Sequence, residues 1–314
     1  MRIVFMGTPE FAVPSLEILL EHGYEVVGVV TATDKYGGRG GKQLLQSAVK
    51  KTALKHGLRV LQPPRLKAPE FLDELRSLEA ELQVVVAFRM LPEAVWSMPP
   101  LGTFNLHASL LPRYRGAAPI NWAIINGETE TGLTTFFIRH EIDTGDLIFQ
   151  EKMPIGENET AGELHDRMMV AGAQLVLKTV QAIESGNYEL KKQDDSLVSH
   201  APKIYHRDCR IDFERTTVEV HNFIRGLSPW PGAWTIVHFP QEGFQELKIL
   251  RTEKVAEPHN LPAGTFARRG SHELLIATLD GFVRVLELQP ENRRKMDAAA
   301  FLNGYAAKLS LQPL

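Results

Sequence analysis

The sequence predicts an α/β protein in which a mostly parallel sheet, covered by helices on both faces, precedes a smaller strand-rich unit. Three observations carry that reading. Short β-rich runs alternate with helically spaced segments through the first half, the pattern of βαβ units. At 314 residues the chain is long for a single core, so two domains are expected. Beyond residue 230, short apolar runs broken by Gly and Pro suggest a small β-barrel.

Taken in order, residues 2–6 and 25–31 are apolar β-rich strands, and 11–22 between them has helical spacing. Pro14 suits the first turn of that helix and Gly23 its stop. Further strands are predicted at 59–62, 84–88, 103–107 and 134–138, with helices at 47–56, 69–78, 92–97 and 118–126. Residues 161–186 form one long helical stretch whose apolar positions serve packing. The polar stretch 187–210 lacks regular periodicity and reads as a linker. A helix at 218–226 ends at Ser228-Pro-Trp-Pro-Gly232, and strands follow at 233–239, 247–252, 274–277 and 283–288.

Composition narrows the function classes. Hydrophobic content of 44% and charged content of 23% are those of an ordinary globular protein. The lone Cys209 excludes an internal disulfide and a cysteine metal cage, and fits a reducing compartment. The amino terminus runs directly into a strand without the pattern of a signal peptide, and no apolar run approaches membrane-spanning length, so a cytoplasmic location is expected. A net charge of −3 does not mark a nucleic-acid binder, although local basic patches would set that affinity.

The most informative segment is Asn105-Leu-His107-Ala-Ser109-Leu110-Leu111-Pro112-Arg-Tyr-Arg-Gly116-Ala117. In an extended strand, residues i and i+2 share a face, so Asn105 and His107 project side by side while Phe104 and Leu106 face the opposite layer. A carboxamide beside an imidazole can stabilise an oxyanion and manage a proton, which is what acyl transfer needs. Asp143, in His140-Glu-Ile-Asp143-Thr-Gly145-Asp146, lies 36 residues after His107 and is the expected third partner. The plain alternative for an isolated Asn-x-His is a capped strand end.

Other motifs exclude other chemistries. Gly7-Thr-Pro9-Glu lacks the second glycine of a dinucleotide fingerprint, which makes a nicotinamide enzyme the poorer reading. His140-Glu141 does not open a zinc-protease helix, because position 144 is Thr. Ser109 lacks the glycine elbow of a serine nucleophile, so its hydroxyl is expected to cap a turn.

With Asn-x-His-x-Ser-Leu-Leu-Pro, Arg115-Gly-Ala-Ala-Pro119 and the Asp-Thr-Gly-Asp turn all in order, the chain resembles the folate-dependent formyltransferases. Ala201-Pro-Lys-Ile, Arg210-Ile-Asp212-Phe and Ile224-Arg-Gly-Leu-Ser-Pro-Trp-Pro-Gly-Ala233 extend the resemblance into the last third, toward members acting on methionyl-tRNA. The resemblance implies a Rossmann-like catalytic domain over 1–189, a linker over 190–206 and an OB-like tRNA-binding barrel over 207–314. It implies that Asn105, His107 and Asp143 are the catalytic trio and 10-formyltetrahydrofolate the formyl donor, with no metal. The pterin would be held by Val86, Ala87, Phe88, Arg89, Met90 and Leu91 together with Ser109, Leu110, Leu111 and Pro112, largely through backbone and apolar walls.

The folate site does not name the acceptor amine. The glycine-rich loop Asp34-Lys-Tyr-Gly-Gly-Arg39-Gly-Gly-Lys42 can deform around a substrate, and Arg39 and Lys42 can contact phosphate. By resemblance, that loop meets the acceptor end of methionyl initiator tRNA, and a monomer is expected. Two departures stand out: Tyr36 and Ala48 occupy positions where the family has prolines, and the last third is nearly neutral. The rival reading is an N-formyltransferase acting on an amino-sugar nucleotide, which would not need this loop.

Overall fold

A computed structural model describes residues 1–37, 40–239, 243–305, 309 and 311–314. Contacts divide the chain into two compact units. The first comprises Met1–Gly116, Thr131–Met153 and His165–His200, and the second comprises Ala117–Glu130, Pro154–Leu164 and Ala201–Leu314.

In the first unit, strands β1 (Arg2–Gly7), β2 (Glu25–Val30), β3 (Lys35–Gly37), β4 (Gln43–Leu45), β5 (Val60–Leu61), β6 (Leu82–Val86), β7 (Thr103–His107), β8 (Arg115–Gly116), β9 (Glu130–Phe137) and β10 (Leu147–Pro154) follow in sequence. Seven of them form one sheet in the order β10-β9-β7-β6-β1-β2-β5. The pairs from β5 to β7 are parallel, and β7 meets β9 antiparallel. This is the mostly parallel α/β architecture expected. Helices α1 (Val13–Glu21), α2 (Ala48–Lys55), α3 (Pro69–Ser77) and α4 (Glu93–Trp96) supply the crossovers.

The apolar runs β1 and β6 are buried along nearly their whole length, as central parallel strands require. Val4, Met6, Val30 and Val85 pack there against Phe71 and Leu75 of α3. On the other face, Leu106 meets Gly172 of a long helix (Ala161–Ser185), where a Cβ would stand 2.7 Å from Leu106 Cδ2. The Thr135 and Thr179 hydroxyls pair at 2.9 Å on that same side. By alternation, Asn105 and His107 therefore face away from the long helix, as their spacing predicts. At Gly7 a Cβ would meet Ala12 at 2.8 Å, so the residue is small to let strand and helix approach.

The second unit is a curled half-barrel of antiparallel strands. Its strands are Ala233–Phe239, Gly243–Val255, Phe266–Arg269, Glu273–Ala277 and Phe282–Pro290, and register shifts at Ile249–Thr252 bend the long Gly243–Val255 strand where it pairs with Phe282–Pro290. Its core gathers Leu247, Ile249, Leu274, Ile276, Val283 and Val285 around Ile224 and Leu227. Cys209 is buried in that core, where desolvation pushes its thiol up, so it is a packing residue.

The helix Thr217–Gly226 begins with a capping box between Thr216 and Glu219, and it organises this unit. Its Arg225 is buried, and donates to Asn222 Oδ1 at 2.8 Å and to the carbonyls of Gly156 and Glu159 at 3.1 and 2.9 Å. Gly226 admits Ile125 of the helix Pro119–Ile125, and its carbonyl accepts from Asn121 at 2.8 Å. The Ile224-Arg-Gly-Leu motif thus ties residues 117–130 and 154–164 to the C-terminal elements. Among the described residues, no helix is long and apolar enough to cross a membrane.

His221 on the same helix is buried, with Nδ1 2.9 Å from the Thr252 hydroxyl. Burial first, then the charges of Arg225 and Lys254, lower its pKa from 6.5 to about 4. The unfolded chain therefore binds the extra proton first as pH falls below 6.5, and stability is lost between there and about 4. Between pH 7.5 and 5 this one group should cost on the order of 2 kcal/mol of unfolding free energy. Urea unfolding at both pH values should show that loss, and His221→Gln should show much less of it.

Candidate functional site

The site forms where β7 ends, at the carboxyl edge of the parallel strands, the usual ligand position in open α/β sheets. Register pairs Asn105 with Phe136 and His107 with Thr134, so both side chains leave the sheet next to β9. His107 is buried and Asn105 half-buried. Among the described residues, the Asn105 carboxamide has no hydrogen-bond partner, leaving its donors available to a substrate.

The segment after β7 turns back over the site. The Ser109 hydroxyl donates to the Arg113 carbonyl at 2.6 Å, and the Ser109 carbonyl accepts from Thr134 Oγ1 at 2.6 Å. Ser109 is thus a turn cap, as expected. Gln150 Nε2 donates to the Leu111 carbonyl at 2.9 Å, and the Leu111–Pro112 peptide is cis. That fold-back brings the Tyr114 carbonyl 2.9 Å from His107 Nε2. A carbonyl only accepts, so Nε2 carries the hydrogen and Nδ1 is the atom that can gain or lose a proton.

Asp143 closes the arrangement. Its Oδ2 lies 3.7 Å from His107 Nδ1 and accepts the Gly116 N–H at 2.9 Å. Gly116 adopts φ 127°, a region that favours glycine, to aim that N–H. Asp143 itself adopts φ 57°, the left-handed region that Asp tolerates better than most residues. Gly145 is required by proximity instead of by dihedral: a Cβ would stand 1.6 Å from the Phe137 carbonyl oxygen. The Asp-Thr-Gly-Asp turn therefore needs its glycine to lie against β9.

The other expected contact residues occupy the same sheet edge. Val86 ends β6, and Ala87 follows at φ 49°, which re-aims the chain. Phe88 is half-buried, Leu91 buried and Met90 exposed. Arg89 is turned away, donating to the carbonyls of Pro63 and Pro64. Leu110 is half-buried, while Leu111 and Pro112 are buried, Leu111 in a core cluster with Phe136 and Leu147. Lys42 is exposed beside the β3–β4 hairpin, and Arg39 lies outside the described residues. The hairpin is rooted by Asp34, whose carboxyl the Lys50 ammonium, 2.6 Å away, holds below its ordinary range.

Sequence reasoning missed three groups: the Tyr114 carbonyl, Thr134 and Gln193. Gln193 Nε2 donates to the carbonyls of Asp143 and Gly145 at 2.7 and 2.9 Å. Tyr114 stood within the quoted motif, but a backbone acceptor leaves no side-chain signature. Gln193 sits in a polar stretch without periodicity, and nothing local marks it.

Residues 1–180 match the family model described as formyl transferase, and residues 203–306 match that of the formyl transferase C-terminal domain. The chain belongs to the formyl transferase family. Within that family it is 51% identical to a methionyl-tRNA formyltransferase of Azobacteroides pseudotrichonymphae, over 99% of this chain and 98% of the relative. It is 52% identical to one from Phocaeicola vulgatus, over 97% and 96%. An N-formyltransferase from Helicobacter canadensis, solved with folinic acid and dTDP-3-aminofucose, shares the fold. Its TM-score is 0.66 at 24% identity, over 94% of this chain and 99% of that one. HypX from Aquifex aeolicus bound to tetrahydrofolic acid gives 0.66 at 20% identity, over all of this chain and 49% of that one.

For this formyl transferase, Gly145→Ala must push the 143–146 turn off β9. Formyl transfer should fall by at least about tenfold, since small displacements of positioned groups are costly. A steady-state assay beside a melting curve checks it; a folded variant of full activity would show that the turn's seat is unimportant.

Proposed function

We propose that the chain transfers the formyl group of 10-formyltetrahydrofolate to the α-amine of methionyl initiator tRNA. The observation that carries the chemistry is the meeting of His107 and Asp143 beside the free carboxamide of Asn105. The choice of acceptor is supported by half-identity, over nearly the whole chain, to methionyl-tRNA formyltransferases. A cytoplasmic location follows from that substrate.

In this reading the acceptor amine attacks the formyl carbon, and Asn105 donates an N–H to the oxyanion that forms. The nitrogen's excess proton passes to His107 Nδ1, the ring position left open by the Nε2–Tyr114 bond. Asp143 stabilises the resulting imidazolium at 3.7 Å and can take the proton in turn. As the bond from the formyl carbon to the folate nitrogen breaks, the proton is returned to that leaving nitrogen, so protons balance. The pterin would lie against 86–91 and 109–112, and Arg39 and Lys42 would meet tRNA phosphates. Residues 1–189 would act as the catalytic domain, 190–206 as the linker and 207–314 as the tRNA-binding domain.

The sugar-nucleotide alternative draws on the Helicobacter canadensis structure, whose 24% identity supports the shared fold alone. An acceptor panel separates the two. Charged initiator tRNA should be formylated, uncharged tRNA should not react, and a sugar-nucleotide amine should be turned over poorly; preference for the sugar would overturn the proposal.

Asn105→Ala, His107→Ala and Asp143→Ala should each lower kcat at least about a hundredfold with folding intact, and their effects should be far from additive. Near-full kcat in folded His107→Ala would contradict the assignment.

A further inference from the structure

The side chain of Gln193 bridges the two turns that build the site. Its Nε2 donates to the carbonyls of Asp143 and Gly145 at 2.7 and 2.9 Å. Its Oε1 accepts from Arg115 Nε at 3.2 Å and Arg115 Nη2 at 2.7 Å. Arg115 belongs to the 114–116 turn, which supplies both the carbonyl that orients His107 and the N–H that holds the Asp143 carboxylate. Asp143 stands at φ 57°, in the left-handed region, and the contacts around its turn hold it there.

The segment carrying Gln193 is itself tied down on both sides. Lys191 and Leu147 exchange backbone hydrogen bonds at 2.8 and 3.0 Å. Ser199 accepts the Tyr114 N–H on Oγ and the Arg115 N–H on its carbonyl, both at 2.9 Å. Asp195 adds an ion pair to Arg115 at 3.0 Å. Residues 191–199 thus form a strap along the site, with one side chain reaching between its halves.

We propose that Gln193 is a positioning residue for formyl transfer: it fixes the Asp143 turn against the 114–116 turn, keeping the carboxylate at His107 Nδ1. A carboxamide suits the task, because two N–H donors serve two carbonyls while one oxygen serves a guanidinium. A carboxylate accepts only, and would set a charge against the Asp143 and Gly145 carbonyls. An ammonium could not accept from Arg115. The inference rests on the proposed trio, because Gln193 acts through Asp143 and touches no reacting atom.

The test compares Gln193→Met, which keeps the volume, and Gln193→Glu, which keeps the acceptor for Arg115, in the full-length protein. Both should lower kcat about ten- to a hundredfold, with KM for 10-formyltetrahydrofolate and for charged tRNA within about threefold of the parent. The double variant Gln193→Met with Asp143→Asn should be no slower than Asp143→Asn alone. If either folded Gln193 variant keeps kcat while Asp143→Asn loses kcat, the positioning role is wrong and the trio stands. Additive losses in the double variant would likewise overturn it. If Asp143→Asn keeps full kcat, the trio itself fails, and the role of Gln193 fails with it.

Discussion

The Asp143 carboxylate and the His107 imidazole belong to segments 36 residues apart, and their approach at 3.7 Å is the constraint on which the site depends. The antiparallel pairing of β7 with β9 sets the distance coarsely, by placing His107 opposite Thr134. The finer setting comes from the 114–116 turn, which holds the imidazole through one carbonyl and the carboxylate through one N–H. Each ring nitrogen has thereby a single role. Nε2 is committed to the backbone, and Nδ1 alone is left to exchange a proton beside a negative charge.

Glycines make this geometry possible for two different reasons. Gly116 supplies a dihedral that other residues rarely adopt, whereas Gly145 and Gly172 supply absence of bulk at a close approach. Gly172 lets the long helix settle on Leu106, immobilising the strand that presents Asn105 and His107 from its other face. Packing on one side of β7 and chemistry on the other are two results of one alternation. In the second unit, Arg225 and Gly226 play the comparable part of joining segments distant in sequence, through backbone carbonyls and a close helix contact.

Much of the first unit was legible because central parallel strands are buried on both faces and read as largely apolar runs, as β1 does after Arg2 and β6 does after Gln83. Strand β10 was not predicted: its exposed Gln150, Glu151 and Lys152 break the apolar pattern at a sheet edge. The β3–β4 hairpin was hidden for a related reason, being mostly exposed and set within a glycine-rich loop. Asn105 and His107 were legible from period-two alternation, and Asp143 from a motif at fixed distance. Gln193 was not, since a side chain that grips two carbonyls and a guanidinium from a polar segment has no local pattern to betray it. Contacts of that kind belong to the fold and are visible only once the chain is closed.

The proposed chemistry requires the formyl group of a bound folate to rest between Asn105 and the His107–Asp143 pair. Folinic acid carries a formyl group and offers the most direct probe, by crystallography of the full-length protein with the ligand bound. The formyl oxygen should lie within about 3 Å of the Asn105 carboxamide, the formyl carbon beside the His107–Asp143 pair, and the pterin against 86–91 and 109–112. A folate bound with its formyl group away from Asn105 and His107, in crystals that retain full activity when dissolved, would contradict the proposed chemistry.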